Sequence, residues 1–207
     1  MALVVSVVNS KGGSGKTTLA VNLARAIQLD GNRVVIIDTD PQGTASDWSS
    51  RQPEDYDLPV VHVSNARLLD TDLDRLTSDY DVCVIDGSAK LEKGTGTCVR
   101  VADAVLIPVQ PTPADVWGVA DVASIVKRTG TKAACVVSRA ITGTNLADEV
   151  ADGLAGYDLA VFEHRTHQRV AYAEAMFDGK TVLDVRARKA QEEIQGIATE
   201  LSELLSA

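Results

Sequence analysis

Two lysines stand five residues apart in Val7-Val8-Asn9-Ser10-Lys11-Gly12-Gly13-Ser14-Gly15-Lys16-Thr17-Thr18, where a phosphate-binding loop needs only one. Gly12, Gly13 and Gly15 let successive backbone N–H groups converge on phosphate oxygens at a helix N-terminus, where the helix dipole also favours an anion. Lys16 then reaches the β- and γ-phosphates, and the Thr17 hydroxyl is suited to Mg²⁺. The common spacing G-x-x-x-x-G-K-[ST] would put its first glycine at position 10, where this chain has Ser10. The loop is therefore a variant form, and Lys11 is its unexplained cation.

Carboxylates complete the candidate chemistry. Asp86 closes the apolar run Val82-Cys83-Val84-Ile85, and Asp38 and Asp40 close Val34-Val35-Ile36-Ile37 in the same way. A carboxylate at the carboxyl edge of a parallel sheet, beside a phosphate loop, has the geometry of a Walker B metal-side residue.

Strands alternating with helices would hold these groups. Strands are expected over 3–8, 33–38, 60–63, 82–86, 104–109 and 133–138, with a weak one over 159–162. Helices are expected after the loop and over 67–78, 92–102, 114–128, 145–154 and 187–206. This rhythm predicts an α/β fold: a single-domain P-loop NTPase over 1–207, with a mainly parallel twisted sheet covered by helices on both faces. A chain of 207 residues, 45% apolar and 4% aromatic, suffices for one such core. No apolar run approaches membrane-spanning length and the first strand begins at Leu3, so neither a signal peptide, a membrane span nor an N-terminal helix-turn-helix is expected. Cys83 and Cys135 fall in strand-like runs and read as reduced core thiols; His62, His164 and His167 show no metal spacing.

Lys11 to Thr18 together with Asp38-Thr39-Asp40-Pro41-Gln42 resembles the deviant Walker motifs of the ParA/MinD ATPases, and of the small, ParF-like partition subgroup in particular. Val84-Ile85-Asp86-Gly87, Ile107 to Pro113, Ser138-Arg139 and Gln168-Arg169 through Asp178-Gly179 extend the resemblance over almost the whole chain. It implies an ATPase in which Lys11 is the signature lysine, reaching across an ATP-dependent homodimer to the phosphates held by the other subunit. A second cation is useful there because two triphosphates must be neutralised before the dimer closes. It further implies that Asp40 orients or deprotonates the attacking water, that Thr17 coordinates Mg²⁺, and that Asp38 and Asp86 hold the metal's waters. Lys11, Lys16 and Asp40 form the catalytic set, and Gly12 through Thr18, Arg139, Pro111, Thr112 and Pro113 complete the nucleotide contacts, the last four near adenine. No cis arginine finger or strong general base is legible, so slow intrinsic turnover of ATP is expected.

Relatives of other function are disfavoured by particular residues. Gly87-Ser88-Ala89 stands where a nitrogenase-type iron protein needs a cluster cysteine, and dethiobiotin synthetases normally lack both the Lys11 signature and the Asp40-Pro41-Gln42 arrangement. A MinD-like membrane-cycling regulator remains an alternative, but the tail over 191–207 carries Glu192, Glu193, Glu200 and Glu203 and no base, and an anionic membrane repels it.

Charge leaves nucleic acid open. The net charge is −9, yet residues 163–190 hold Arg165, Arg169, Lys180, Arg186, Arg188 and Lys189 against four acids. A dimer doubles that patch, which makes sequence-independent DNA binding an expectation. With the resemblance, this points to a cytoplasmic, nucleoid-associated ATPase that segregates plasmid or chromosomal DNA through a centromere-binding or cargo-adaptor protein that stimulates hydrolysis. Positioning of a protein organelle or cluster is the neighbouring alternative.

Overall fold

β-branched runs make the strands β1 (Leu3–Val7), β2 (Val34–Asp38), β3 (Val60–His62), β4 (Val82–Asp86), β5 (Ala104–Val109), β6 (Lys132–Val137) and β7 (Ala160–Val161). The structure, a computed structural model, describes residues 1–88 and 94–207. The strands pair in the order β3-β2-β4-β1-β5-β6-β7, and every pair is parallel. Parallel neighbours need crossover connections. These carry α1 (Lys16–Leu29), α2 (Thr44–Ser49), α3 (Leu69–Leu76), α4 (Gly96–Val101), α5 (Pro113–Trp117), α6 (Val119–Thr129) and α7 (Leu146–Leu154), and after β7 follow α8 (Val170–Phe177) and α9 (Arg188–Ser206).

Both sheet faces are covered, which is why the strands read as near-continuous apolar runs. In β4, Val84 packs on the face of α1 and α9, while Cys83 and Ile85 face the cluster holding Val99, Val122 and Leu154. All three cysteines are free and buried. The winding direction reverses beside β1, which lies between β4 and β5, so the loop after β1 opens at the crevice where α/β sheets bind ligands.

Three elements differ from expectation. The polar stretch after Asp40 contains α2, a helix of 6 residues seated by buried Ala45 and Trp48. The helix expected over 114–128 is divided at Gly118, which ends α5 and caps the start of α6, and whose carbonyl also accepts a hydrogen bond from Ser10 Oγ (2.9 Å). A further helix, α8, follows Arg169. The helix expected over 92–102 runs from Gly96 to Val101; Glu92 and Lys93, like Ala89 of the Gly87-Ser88-Ala89 stretch, lie outside the described residues.

Candidate nucleotide site

The loop leaves β1 with Asn9 fully buried, its side-chain amide donating to the Pro108 carbonyl (2.8 Å) and its Oδ1 accepting from Lys11 N (2.9 Å). Gly13 and Gly15 have φ of 77° and 94°, a left-handed backbone that glycine adopts at no steric cost and that turns the chain abruptly into α1. The Ser14 carbonyl is anchored by Ser138 Oγ at 2.6 Å, which ties the loop to the end of β6. Lys16 Nζ folds back over the loop onto the Lys11 carbonyl (2.9 Å). Lys16 is 7% exposed, and burial lowers its pKa against the opposing pull of Asp86 and Asp40.

Register brings the acids together. Asp38 is level with Asp86 across β2 and β4, and Val7, the last residue before the loop, is level with Asp86 across β1. Asp86 Oδ2 accepts from Thr17 Oγ1 at 2.7 Å, while Asp86 Oδ1 is buried with no hydrogen-bond partner. Burial, with Asp38 close by, pushes the Asp86 carboxyl up to about 7. Both oxygens of Asp38 are engaged: Oδ2 accepts from Ser46 N and Ser46 Oγ, both at 2.9 Å, and Oδ1 accepts from Asp40 N at 3.0 Å. Asp40 is half-buried at the cleft wall, with Oδ1 accepting from Gln42 N (3.0 Å).

These groups fit a hard divalent cation. The orphaned Asp86 Oδ1 belongs to the same carboxylate that accepts the Thr17 hydroxyl, and Asp38 is a second buried acid close to it. Among the described residues no group of three or more His, Cys, Asp and Glu side chains could hold a metal alone. Mg²⁺ is usually held by one or two protein oxygens and completes its shell with water and phosphate oxygens, so Thr17 and Asp86 would bind it jointly with a nucleotide.

From the loop a cleft of about 580 Å³ runs to a second wall formed by Arg139, Thr166, His167, Arg169, Tyr172 and Met176. That volume falls within the range of small-ligand sites. With phosphates on the loop, a base and ribose would occupy this far end. Arg139 enters it from a left-handed backbone (φ 57°), rare for a side-chain-bearing residue, which is held by Thr166 Oγ1 accepting from Arg139 N (3.1 Å). Behind the wall stands Glu193 of α9. It accepts from Arg169 Nη2 (2.6 Å), Arg169 Nε (2.8 Å), His167 N (3.1 Å) and Tyr172 OH (2.9 Å), and pairs with His167 Nδ1 (2.8 Å).

The profile of the CobQ/CobB/MinD/ParA nucleotide binding domain matches residues 5–197. The chain belongs to this family. It is 30% identical over 210 residues to maintenance of carboxysome distribution protein A of Gloeobacter kilaueensis, covering 96% of this chain and 93% of that protein. It is 30% identical over 148 residues to the chromosome partitioning protein ParA of Caulobacter vibrioides, covering 52% of this chain and 55% of that protein. Among solved structures, the ATP complex of a Cyanothece McdA variant superposes with a TM-score of 0.80 at 15% identity, covering 97% of this chain and 96% of that one, a likeness of fold. ParA/MinD proteins are P-loop NTPases, and this chain carries their nucleotide-binding domain.

Within this ParA/MinD domain Lys11 does not face its own cleft. Its Nζ lies 3.0 Å from Asp115 Oδ2 in α5, and its side chain keeps 39% of its exposure. Thr112 caps α5, accepting from Asp115 N at 3.2 Å, and its hydroxyl also bonds to the Asp115 carboxylate. Pro111, Thr112 and Pro113, expected near the base, therefore sit on the Lys11 side of the loop. The far wall comes from Arg139 and residues 166–176. Trp117, at the end of α5, is 70% exposed.

The basic residues expected on a nucleic-acid face do not form one open set. Arg165 Nη1 is bonded to Asp148 Oδ1 (2.7 Å), and Arg169, expected on the DNA-binding face, is committed to Glu193 and lines the cleft. Arg188 pairs with Glu192 one turn along α9 (2.8 Å). Among the described residues Lys180, Arg186 and Lys189 make no ion pair, and Arg186 and Lys189 are exposed. Asp115, Ser46 and Glu193 had no local sequence signal: each acts on a residue distant in the chain, or within a polar turn without a periodic pattern. No helix among the described residues is long and apolar enough to cross a membrane.

Proposed function

We propose that this chain is a positioning ATPase that binds Mg·ATP in the cleft, dimerises on it, and uses slow hydrolysis to move a cargo over non-specific DNA. The observation that carries this reading is the division of labour between two lysines. Lys16 lies over its own loop, whereas Lys11 is held outside it at 3.0 Å from Asp115. A cation aimed away from its own phosphates is useful when a second copy brings phosphates to it. Bound Mg²⁺ would neutralise phosphate charge beside Thr17 and Asp86. Asp40, half-buried at the wall and near Lys16, is the carboxylate available to orient a water at the γ-phosphate.

For the track, Arg186 and Lys189 support DNA binding because they are exposed and unpaired. The first turn of α9 carries Arg188 and Lys189 without an acid, against the helix dipole, a placement that phosphate contacts would relieve. The cargo is DNA carried through a centromere-binding partner in the first reading. The 30% identity with a carboxysome distribution protein over nearly the full length favours a protein body as the second. Light scattering with Mg·ATP tests the core of the proposal: the parent should become a dimer, Asp40→Ala should accumulate as one, and Lys11→Ala should stay monomeric. A Lys11→Ala protein that dimerises like the parent would sink it.

A further inference from the structure

Glu193 is a buried carboxylate, 8% exposed, on a helix whose sequence reads as a solvated acidic tail. Burying such a charge costs several kcal/mol unless donors surround it. All the donors around it come from one stretch of chain, residues 167–172, which forms the far wall of the cleft. The same face of α9 fastens the preceding turn. Glu200 accepts from Glu163 N and His164 N, both at 2.8 Å, and its Oε1 lies 2.7 Å from His164 Nδ1. Between the two acids Gly196 lets His164 lie against the helix, where an added Cβ would come within 2.0 Å of the imidazole. Residues 193, 196 and 200 are three and four apart, so they form one ridge.

We propose that Glu193 is the positioning residue for base recognition: from α9 it fixes Arg169 and His167 so that the 166–169 turn presents one set of polar groups to the nucleotide base. This rests on the nucleotide reading of the cleft. Glu193 holds Arg169 through Nε and Nη2, which leaves Nη1 without a partner in the protein, and the neighbouring Gln168 amide is likewise uncommitted at the cleft wall. A fixed set of polar groups rejects a base whose edge leaves them unpaired, and a loose set does not. The base turn is thereby coupled to the C-terminal helix rather than to the phosphate loop.

The test is the ratio of GTP to ATP dissociation constants, measured by calorimetry on the full chain for the parent, Glu193→Ala, Glu193→Gln and Arg169→Ala. Partial unfolding weakens both nucleotides alike and leaves the ratio unchanged. The expected parent discriminates between the two bases by at least about tenfold, ~1.4 kcal/mol. Glu193→Ala and Arg169→Ala bring the ratio close to one, and Glu193→Gln, which keeps an acceptor, falls between. Variants that retain the parent's ratio, or a parent without preference, overturn the inference while leaving the cleft a nucleotide site. A parent that binds neither nucleotide removes the nucleotide reading and this inference with it.

Discussion

Lys11 Nζ lies 3.0 Å from Asp115 Oδ2, an ion pair joining the phosphate loop to α5. Asp115 is the buried partner, 6% exposed at its side chain against 39% for Lys11. If Lys11 turns to a second subunit, Asp115 loses its cation and keeps the Thr112 hydroxyl. Stranding a buried carboxylate is costly, so the pair opposes dimerisation until phosphate offers Lys11 more. Asp115→Asn removes that opposition and should tighten the Mg·ATP dimer several-fold, about 1 kcal/mol for a half-exposed pair. Sedimentation equilibrium checks it; a weaker dimer would mean Asp115 supports the assembled state instead.

Asp86 yields a prediction in pH. Its carboxyl is raised to about 7 from an ordinary 3.8, chiefly by burial. The folded state therefore holds a proton that the unfolded state releases, so the contribution of Asp86 to stability is full below about pH 4 and lost as pH rises through 7. The loss is of order 4 kcal/mol at most. Asp86→Asn, which cannot ionise, should flatten this part of the profile in denaturant titrations without nucleotide. An unchanged slope would locate the proton elsewhere.

Thr17 and Lys16 should separate metal from charge. Thr17→Ala removes the hydroxyl that donates to Asp86 Oδ2, so ATP binding should weaken mainly in the presence of Mg²⁺. Lys16→Ala removes a buried ammonium and should weaken ATP with and without the metal, on the order of a hundredfold for lost charge-assisted bonds. Equal affinities in both variants and the parent, measured by calorimetry with Mg²⁺ and with EDTA, would remove the loop from the site.

What was legible in the chain follows the range of the physics involved. Val34 to Asp38 and Val82 to Asp86 announce strands because each is buried on both faces, and their terminal acids come level once the strands pair. The P-loop side of the site is local and was readable. Helix α2 was not, since it is short and polar and is set by Asp38 reaching Ser46. Nor was the break at Gly118, where the chain meets the Ser10 hydroxyl, 108 positions away in sequence. Glu193 misled most: on periodicity it lies among solvated acids, and only the packing of α9 shows that it turns inward.

DNA binding should depend on the cations left free. Arg165 and Arg169 already hold Asp148 and Glu193, so a phosphate would have to displace a carboxylate at each. Arg186 and Lys189 are exposed and unpaired at the start of α9, where two subunits would present four such charges. Each phosphate contact contributes about 0.9 to the slope of log affinity against log salt on duplex DNA. Arg186→Ala with Lys189→Ala should therefore lower affinity for random-sequence duplex uniformly and flatten the salt dependence by up to about four contacts' worth in the ATP dimer. ATP affinity should stay at the parent's value. Arg165→Ala should change DNA binding little, and Arg169→Ala should act on the nucleotide first. Fluorescence anisotropy across a salt series, with Mg·ATP and with Mg·ADP, reads all of these. An unchanged slope in the double variant, or equal binding in both nucleotide states, would move the track off this end of α9.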